Sequence, residues 1–408
     1  MKRYIAAAIA ALVFSTSVRV AGDAGDVETR YRRSSMCSML LKHTSDKYAD
    51  EIEEQFMKIP VSDKYNDHNL SVRVITIEDK KGLKTEDDIT AFVERNDIGS
   101  RLVGKWFNRN ILDGSCNLDL VKERGLYDAS ALDMELAQRS ARGMAMLEDA
   151  GEDLIGNTYL LVNEVTYVDK NKKARIWGGI AQGLLMVAAA YTGNSDLNKT
   201  GQDLNDIISS LKGFAVKINT RLYRLRWDEE AAGYFYKEYY TPTADEARRD
   251  AFEANRSRFA MEYIGSVESK GSRTSFLGIN EDEPELMIRK ACQRAIDANV
   301  ADLQKKYEQF RIKSPIVSVE PTITAHIGLK EGVTPDSRYE VLEPQLVDDR
   351  VRYKRVGVIK PVAGRIWDNR YMASEERAVG ADLGATTFVT ESGSGFAPGY
   401  LIREITKK

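Results

Sequence analysis

Apolar positions follow helical and extended spacings in turn as far as about residue 313, and extended spacing alone beyond it. Tyr48, Ile52, Phe56 and Ile59 recur three or four apart, and Pro60 ends the pattern, which predicts a short amphipathic helix. The β-branched run from Leu70 through Val72 and Val74 to Ile77, set between His68–Asn69 and the turn EDKKG, predicts a strand. Ile98, Leu102, Val103, Trp106 and Phe107 mark a second helical face. CNLDLVKERGL, Cys116 to Leu126, reads as an alternating strand ending in a Lys-Glu-Arg-Gly turn, followed by a helix from Ala131 to Ala150 with Leu136, Met144 and Leu147 on one side. TYLLVNEVTYV, Thr158 to Val168, carries too little charge for an exposed edge and is placed centrally in a sheet. AVKINTRLYRLRW (Ala215 to Trp227) and YFYKEYY (Tyr234 to Tyr240) flank the Gly-closed turn DEEAAG and predict a hairpin. From Pro284 a long helix is expected, with Ile288, Cys292, Ile296, Val300, Leu303, Tyr307 and Phe310 in one stripe.

Past Ser314 the runs TITAHIG, RYEVLE, RVRYKRVGVIK, TTFVTE and YLIREI are separated by the turn clusters KEGVTPDS, VDDR, SGSG and APG. That texture predicts a small all-β barrel or sandwich. The expected architecture is α/β, a mixed sheet flanked by helices, followed by a small barrel-like C-terminal domain. Its boundaries are 1–22 for a signal peptide, 23–313 for the α/β domain with insertions at about 169–213 and 241–280, and 314–408 for the barrel.

Composition narrows the compartment and the partners. Lys2 and Arg3 precede an apolar run from Tyr4 to Phe14 and a string of small residues to Ala24, the layout of a secretory signal peptide; export to the periplasm or the inner face of the outer membrane is expected. With 59 basic against 62 acidic residues, no overall field favours nucleic acid. Cys37, Cys116 and Cys292 are few, odd in number and widely spaced, so the fold is not a disulfide framework, and Cys292 on an apolar helical face reads as a small buried hydrophobe.

One stretch breaks the charge pattern. IWGGIAQGLLMVAAAYTG, Ile176 to Gly193, is uncharged in a chain that is 30% charged. A helix packed on protein, a helix lying on a membrane surface and a span all stay open, though the few strong insertion residues favour the first two. Trp177, Ile180, Leu184, Leu185, Val187 and Tyr191 are the candidate partner- or membrane-facing residues, and Lys170, Lys172, Lys173 and Arg175 just before them are candidate headgroup contacts.

Catalytic signatures are missing from the sequence. His43, His68 and His326 show no metal-ligand spacing, and there is no phosphate loop, nucleophile elbow or His-Glu-x-x-His. His326 reads as a structural residue of a strand, and SGSGFAPG, with no helix after it, reads as a turn. EDAGED and NEDEPE lack the calcium-loop pattern, and the second precedes a helix start that favours acidic side chains. No catalytic residue, cofactor or metal is therefore assigned.

In order, IGSRLVGKWF, a strand leading into VKERGL, a helix before DLIGNTYLLVNEVTYV, AVKINTRLYRLRWDEEAAGYFY and ELMIRKACQRAIDANVADLQKKY resemble the periplasmic α/β domain of the curli secretion channel family. They also resemble the middle domain of flagellar assembly protein T, whose C-terminal module TAHIGLKEGVTPDSRYEVLE resembles in turn. The resemblance covers about residues 70 to 310. It implies a non-catalytic envelope assembly or scaffolding factor, oligomeric, with envelope proteins as partners and peripheral membrane contact. In the curli channel the two insertions form pore hairpins; here the first is Ala/Gly-rich without alternation and the second, Thr241 to Tyr263, is a charged helix pattern, neither suited to a β-pore. Two other classes stay open: a secreted hydrolase with a carboxylate site, and a carbohydrate or surface-ligand binding module using Tyr223, Trp227, Tyr234, Phe235, Tyr236, Tyr239 and Tyr240.

Overall fold

Strand β1 (Ser35–His43) is the axis of the first sheet, pairing in parallel with β2 (Asn66–Asp67) and β3 (Val74–Ile77) end to end along one side and with β4 (Thr158–Tyr167) on the other. The chain is seen in a computed structural model that describes residues 33–77, 85–127, 134, 137–138, 151–168, 215–273, 284–347, 350–375, 378 and 380–406. Strand β5 (Ala215–Leu225) pairs antiparallel with β4, and β6 (Met261–Arg273) with β5, giving the order β2/β3–β1–β4–β5–β6. The central placing expected for TYLLVNEVTYV holds: β4 is buried on both faces over its first six residues, as a strand covered by helices on both sides must be.

Alternation sorts these strands onto two cores. Cys37, Met39, Leu41, Leu160, Val162 and Tyr223 face a layer made by α2 (Glu86–Arg95), α3 (Ile98–Trp106), α4 (Asp119–Tyr127), α5 (Glu229–Glu238) and α6 (Glu246–Ala254). Met36, Leu40, Tyr159, Leu161, Ile218 and Leu222 face α1 (Ala49–Met57) and the long α7 (Pro284–Lys306). A polar chain crosses this second core: Asn163 Nδ2 donates to Ser38 Oγ (3.0 Å), Thr220 Oγ1 donates to Asn163 Oδ1 (2.8 Å), and Asn299 Nδ2 of α7 donates to Thr220 Oγ1 (2.8 Å). All three strands contribute one member, so a one-residue slip of any of them would move its polar group to the opposite face and orphan the rest.

Three sequence expectations are corrected here. CNLDLVKERGL is not a strand: it is loop followed by α4, because Asn117 Oδ1 accepts from the Asp119 amide and starts a helix. YFYKEYY is not the second arm of a hairpin but lies in α5 and its end. Asp228 caps that helix by accepting from the Ala231 amide (2.8 Å), and the acidic DEEAAG that reads as a turn is its first turn. The antiparallel partner of β5 is instead β6, so part of the expected insertion 241–280 is α6 and an edge strand of the sheet. The run from Leu70 narrows to β3, with Val72 exposed outside it.

The C-terminal strands β7 (Ser314–Ser318), β8 (Ile323–Ala325), β9 (Tyr339–Val347), β10 (Arg350–Pro361), β11 (Thr386–Gly393) and β12 (Leu401–Glu404) pair in the ring β10–β11–β8–β7–β12–β9. Closure is narrow: β12 meets β7 over two residue pairs, Leu401–Pro315 and Ile402–Ser314, and β9 over four. Ile316, Ala325, Val341, Ile359, Phe388 and Ile402 fill the interior. SGSGFAPG starts as the last two residues of β11 and continues as the turn toward β12, whereas His326 is exposed just past β8 and stands edge-on to Trp367. The ring rests on α7 and the segment before β2. Lys305 Nζ donates to Gly332 O (2.9 Å), Lys64 Nζ to His326 O, Arg294 Nη2 to Tyr371 O (2.7 Å), and Lys330 pairs with Asp63 (3.1 Å).

Candidate functional site

The outer face of α3 bounds a cleft of about 410 Å³, closed by the loop before β3, the loop 107–116 and the end of α6. Helix α3 is two-sided for a simple reason: Ile98, Leu102, Val103 and Trp106 turn into the core, while Arg101, Gly104, Lys105 and Asn108 occupy the opposite stripe. Gly99 lets the helix approach the turn before β6 closely, since a Cβ there would sit 1.7 Å from Phe259 O. Gly104 is different. A Cβ on it would meet nothing nearer than Arg109 Cβ at 3.9 Å, so the missing side chain leaves space in the cleft.

Four cations line the cleft, against the single carboxylate of Glu253. Arg109 donates to Glu253 Oε1 (2.9 Å), with its guanidinium over Phe252 at 4.1 Å, and Arg256 pairs with Glu253 and with Asp97 (3.3 Å). Lys105 Nζ donates to Asn69 O (2.5 Å), and burial lowers its pKa; two of its three protons stay available. Arg101, among the described residues, makes no side-chain hydrogen bond or ion pair. The positive end of the cleft therefore lies at Arg101 and Lys105, one turn apart.

Loop 107–116 gives the cleft an apolar rim. Its backbone is fixed by Leu112 N to Asn110 Oδ1 (2.9 Å), Ser115 N to Asp113 Oδ1 (2.9 Å), Gly114 N to Asn110 O (2.9 Å) and Arg249 Nη1 to Leu112 O (2.7 Å). Held this way, it presents Ile111 at 75% and Leu112 at 76% exposure, the two most exposed large apolar side chains described. A loop pinned by so many bonds that still displays adjacent apolar residues has no folding reason to do so.

A second cluster sits at the carboxyl ends of β1 and β4. His43 Nε2 lies 2.8 Å from Glu164 Oε1; Arg221 on β5 donates to Glu164 Oε2 (3.1 Å) and to Glu86 Oε2 at the start of α2 (2.7 Å). The bond from His43, and then Arg221, hold the Glu164 carboxyl down at about 2 against the opposing effect of burial. With Glu164 ionised, Nε2 is the donor, and Nδ1 is buried without a hydrogen-bond partner. This is an ion-pair lock across three strands.

The thiols are inert. Burial pushes Cys37 up to about 11 and Cys292 up to about 12 and raises Cys116, and all three are free and buried. The reading of Cys292 as a small buried hydrophobe is met. Among the described residues no group of three or more His, Cys, Asp or Glu could hold a metal ion, and no helix is long and apolar enough to cross a membrane.

The aromatic set expected on a hairpin is brought together, but in a core. Phe235, Tyr239 and Tyr223 are buried, and Phe235 stacks on Phe107 at 4.2 Å with Phe252 and Phe259 beside it; Trp227, Tyr234, Tyr236 and Tyr240 pack against that cluster. Trp177, Ile180, Leu184, Leu185, Val187 and Tyr191, with Lys170, Lys172, Lys173 and Arg175, lie outside the described residues. Sequence reading passed over the cleft. Its signals were Arg101 and Lys105 at helical spacing around a mid-helix glycine, and the apolar pair Ile111–Leu112 inside the turn-forming NRNILDGS.

No protein-family model matches the chain, and no curated protein matches it.

Proposed function

We propose that this chain is an exported, non-catalytic assembly or scaffolding factor of the cell envelope, oligomeric and acting at the periplasmic side of the outer membrane, in the manner of the curli-channel type of periplasmic domain. One observation carries the reading: a rigid loop holds Ile111 and Leu112 out in solvent beside an open cleft. Partner surfaces combine exposed apolar anchors with a polar surround in this way, whereas monomeric surfaces rarely display such adjacent anchors on a pinned backbone. The layout of Lys2, Arg3 and the apolar run to Phe14 supports export.

Two experiments test this reading. Protein recovered from cell envelopes should have a mature N-terminus between Ser17 and Val27; an envelope form that begins at Met1 contradicts export. The photo-reactive residue benzoylphenylalanine, placed at Ile111 and irradiated in cells, should give a discrete adduct of higher mass. The same residue at Val389, which is 43% exposed on the barrel, should give none. Failure of position 111 to cross-link in envelopes would remove the assembly reading.

A further inference from the structure

We infer that the cleft along α3 is a receptor for an acidic linear segment of a partner polypeptide, one that lays a carboxylate on Arg101 and Lys105 and an adjacent apolar side chain against Ile111; this deepens the assembly reading above and rests on it.

The charge pattern selects the ligand. Glu253 is already held by Arg109 and Arg256, and Arg256 is also tied to Asp97. These groups neutralise one another and form a fixed wall. Among the described residues Arg101 has no such partner, and Lys105 gives one proton to a neutral carbonyl. A cleft with two cations that make no ion pair among the described residues attracts an anion, and a guanidinium beside an ammonium suits a carboxylate that reaches both. The opposite end supplies Leu70, Phe252 and Ile111, so the matching ligand carries acidic and apolar side chains on one face. An extended peptide does this at positions i and i+2. Gly104 provides the room: it stands between Arg101 and Lys105 on the lining stripe, and nothing fills the space its Cβ would take.

The probe is a fluorescent octapeptide of sequence EDLEDLED, with QNLQNLQN as its uncharged counterpart, titrated by anisotropy into the full chain. The acidic peptide should bind saturably, and binding should weaken as salt rises from about 50 to about 300 mM, where screening reaches these partly exposed groups. Arg101→Glu should raise its Kd at least about tenfold, a change of about 1.4 kcal/mol. Gly104→Gln should do the same by filling the cleft while favouring the helix. Lys237→Glu, whose side chain is 80% exposed on α5, should change nothing. Thermal melts of Arg101→Glu and Lys237→Glu should match the parent, and that of Gly104→Gln should match or exceed it.

Four results would overturn the inference: no saturable binding of the acidic peptide by the parent; equal binding by Arg101→Glu; equal binding of the uncharged peptide; or loss, in Arg101→Glu, of dimerisation or of co-sedimentation with vesicles of one quarter phosphatidylglycerol without any peptide binding by the parent. That last result would assign the cleft to a second copy or to lipid. The two readings fail separately. An adduct at position 111 that persists unchanged in the Arg101→Glu background leaves the assembly role standing and removes the acidic ligand. No adduct in the parent removes the assembly role whatever the peptide does.

Discussion

Arg124→Ala is expected to destabilise the α/β domain by about 3–5 kcal/mol, the largest single effect among the polar residues described. The guanidinium lies buried above the Trp106 ring at 4.4 Å. Its Nη1 donates to Ser35 Oγ (2.8 Å) and reaches His68 Nδ1 (3.0 Å), and Nη2 donates to Asp67 O (2.8 Å). His68 passes the arrangement on: as a neutral ring it accepts at Nδ1 and donates from Nε2 to Leu102 O (3.0 Å), and burial followed by the neighbouring Arg124 charge holds its pKa well below the usual imidazole value. One side chain thus ties the start of β1, the end of β2, α3 and α4 together. Truncating it orphans several buried acceptors, each worth about 1–3 kcal/mol, and leaves a void under the Trp106 ring. At about 2–4 °C per kcal/mol for a domain of this size, the melting midpoint should fall by roughly 6–20 °C. Arg124→Lys, which keeps charge without the fork, should fall in between. A midpoint within about 2 °C of the parent for the alanine variant, followed by circular dichroism, would show that the four elements hold without it.

The second expected result is a pH dependence spread between about pH 4 and pH 7 and removed by Asp297→Asn. Asp297 on α7 faces the barrel's Leu329–Glu331 turn; its Oδ2 is shut from solvent without a partner. Burial is the main cause that raises its carboxyl to about 7, with Lys330 and Arg294 pulling it down and Glu331 and Asp63 pushing it up. Burial also raises Glu331 and Glu404, the latter on β12 and relieved in part by Lys305. The sign follows from proton binding. A carboxyl whose folded value exceeds its unfolded 3.8 binds more protons folded, so its contribution is complete below pH 3.8 and is lost as pH rises through about 7. At about 1.36 kcal/mol per unit, three units bound the loss at about 4 kcal/mol. Asparagine keeps the shape of the protonated form. Asp297→Asn and the parent should therefore melt together only near pH 3.8 or below, and the variant should gain progressively as pH rises, to several degrees more stable near pH 8. Parallel curves across that range would show that Asp297 does not titrate against the fold.

How much of this was legible depends on which force decides each element. Where burial decides, the sequence sufficed: the stripe Ile288–Cys292–Ile296–Val300–Leu303 is α7, and the uncharged TYLLVNEVTYV is the central strand. The alternating runs past Ser314 form the barrel-like ring. Where a short polar side chain decides, alternation misled. Asn117 starts α4 and Asp228 caps α5, and both override extended-looking aromatic or aliphatic spacing behind them. The cleft was hidden for a third reason. Arg109 lies 144 residues from Glu253 and Arg256 lies 159 from Asp97, so whether a cation is free or spent depends on tertiary neighbours. Ile111 and Leu112 read as ordinary apolar residues until the bonds that pin their loop outward are known.

The ring has one member that arrives late. Strand β12 alone joins β7 to β9, and on the ribosome it is the last of the six to emerge. Until Leu401 and Ile402 have been translated, both neighbours keep unpaired backbone edges of the kind that recruit other chains. Any product that stops short of Leu401 carries two such edges permanently. A barrel that lacks β12 therefore exposes the kind of backbone edge from which aggregation starts.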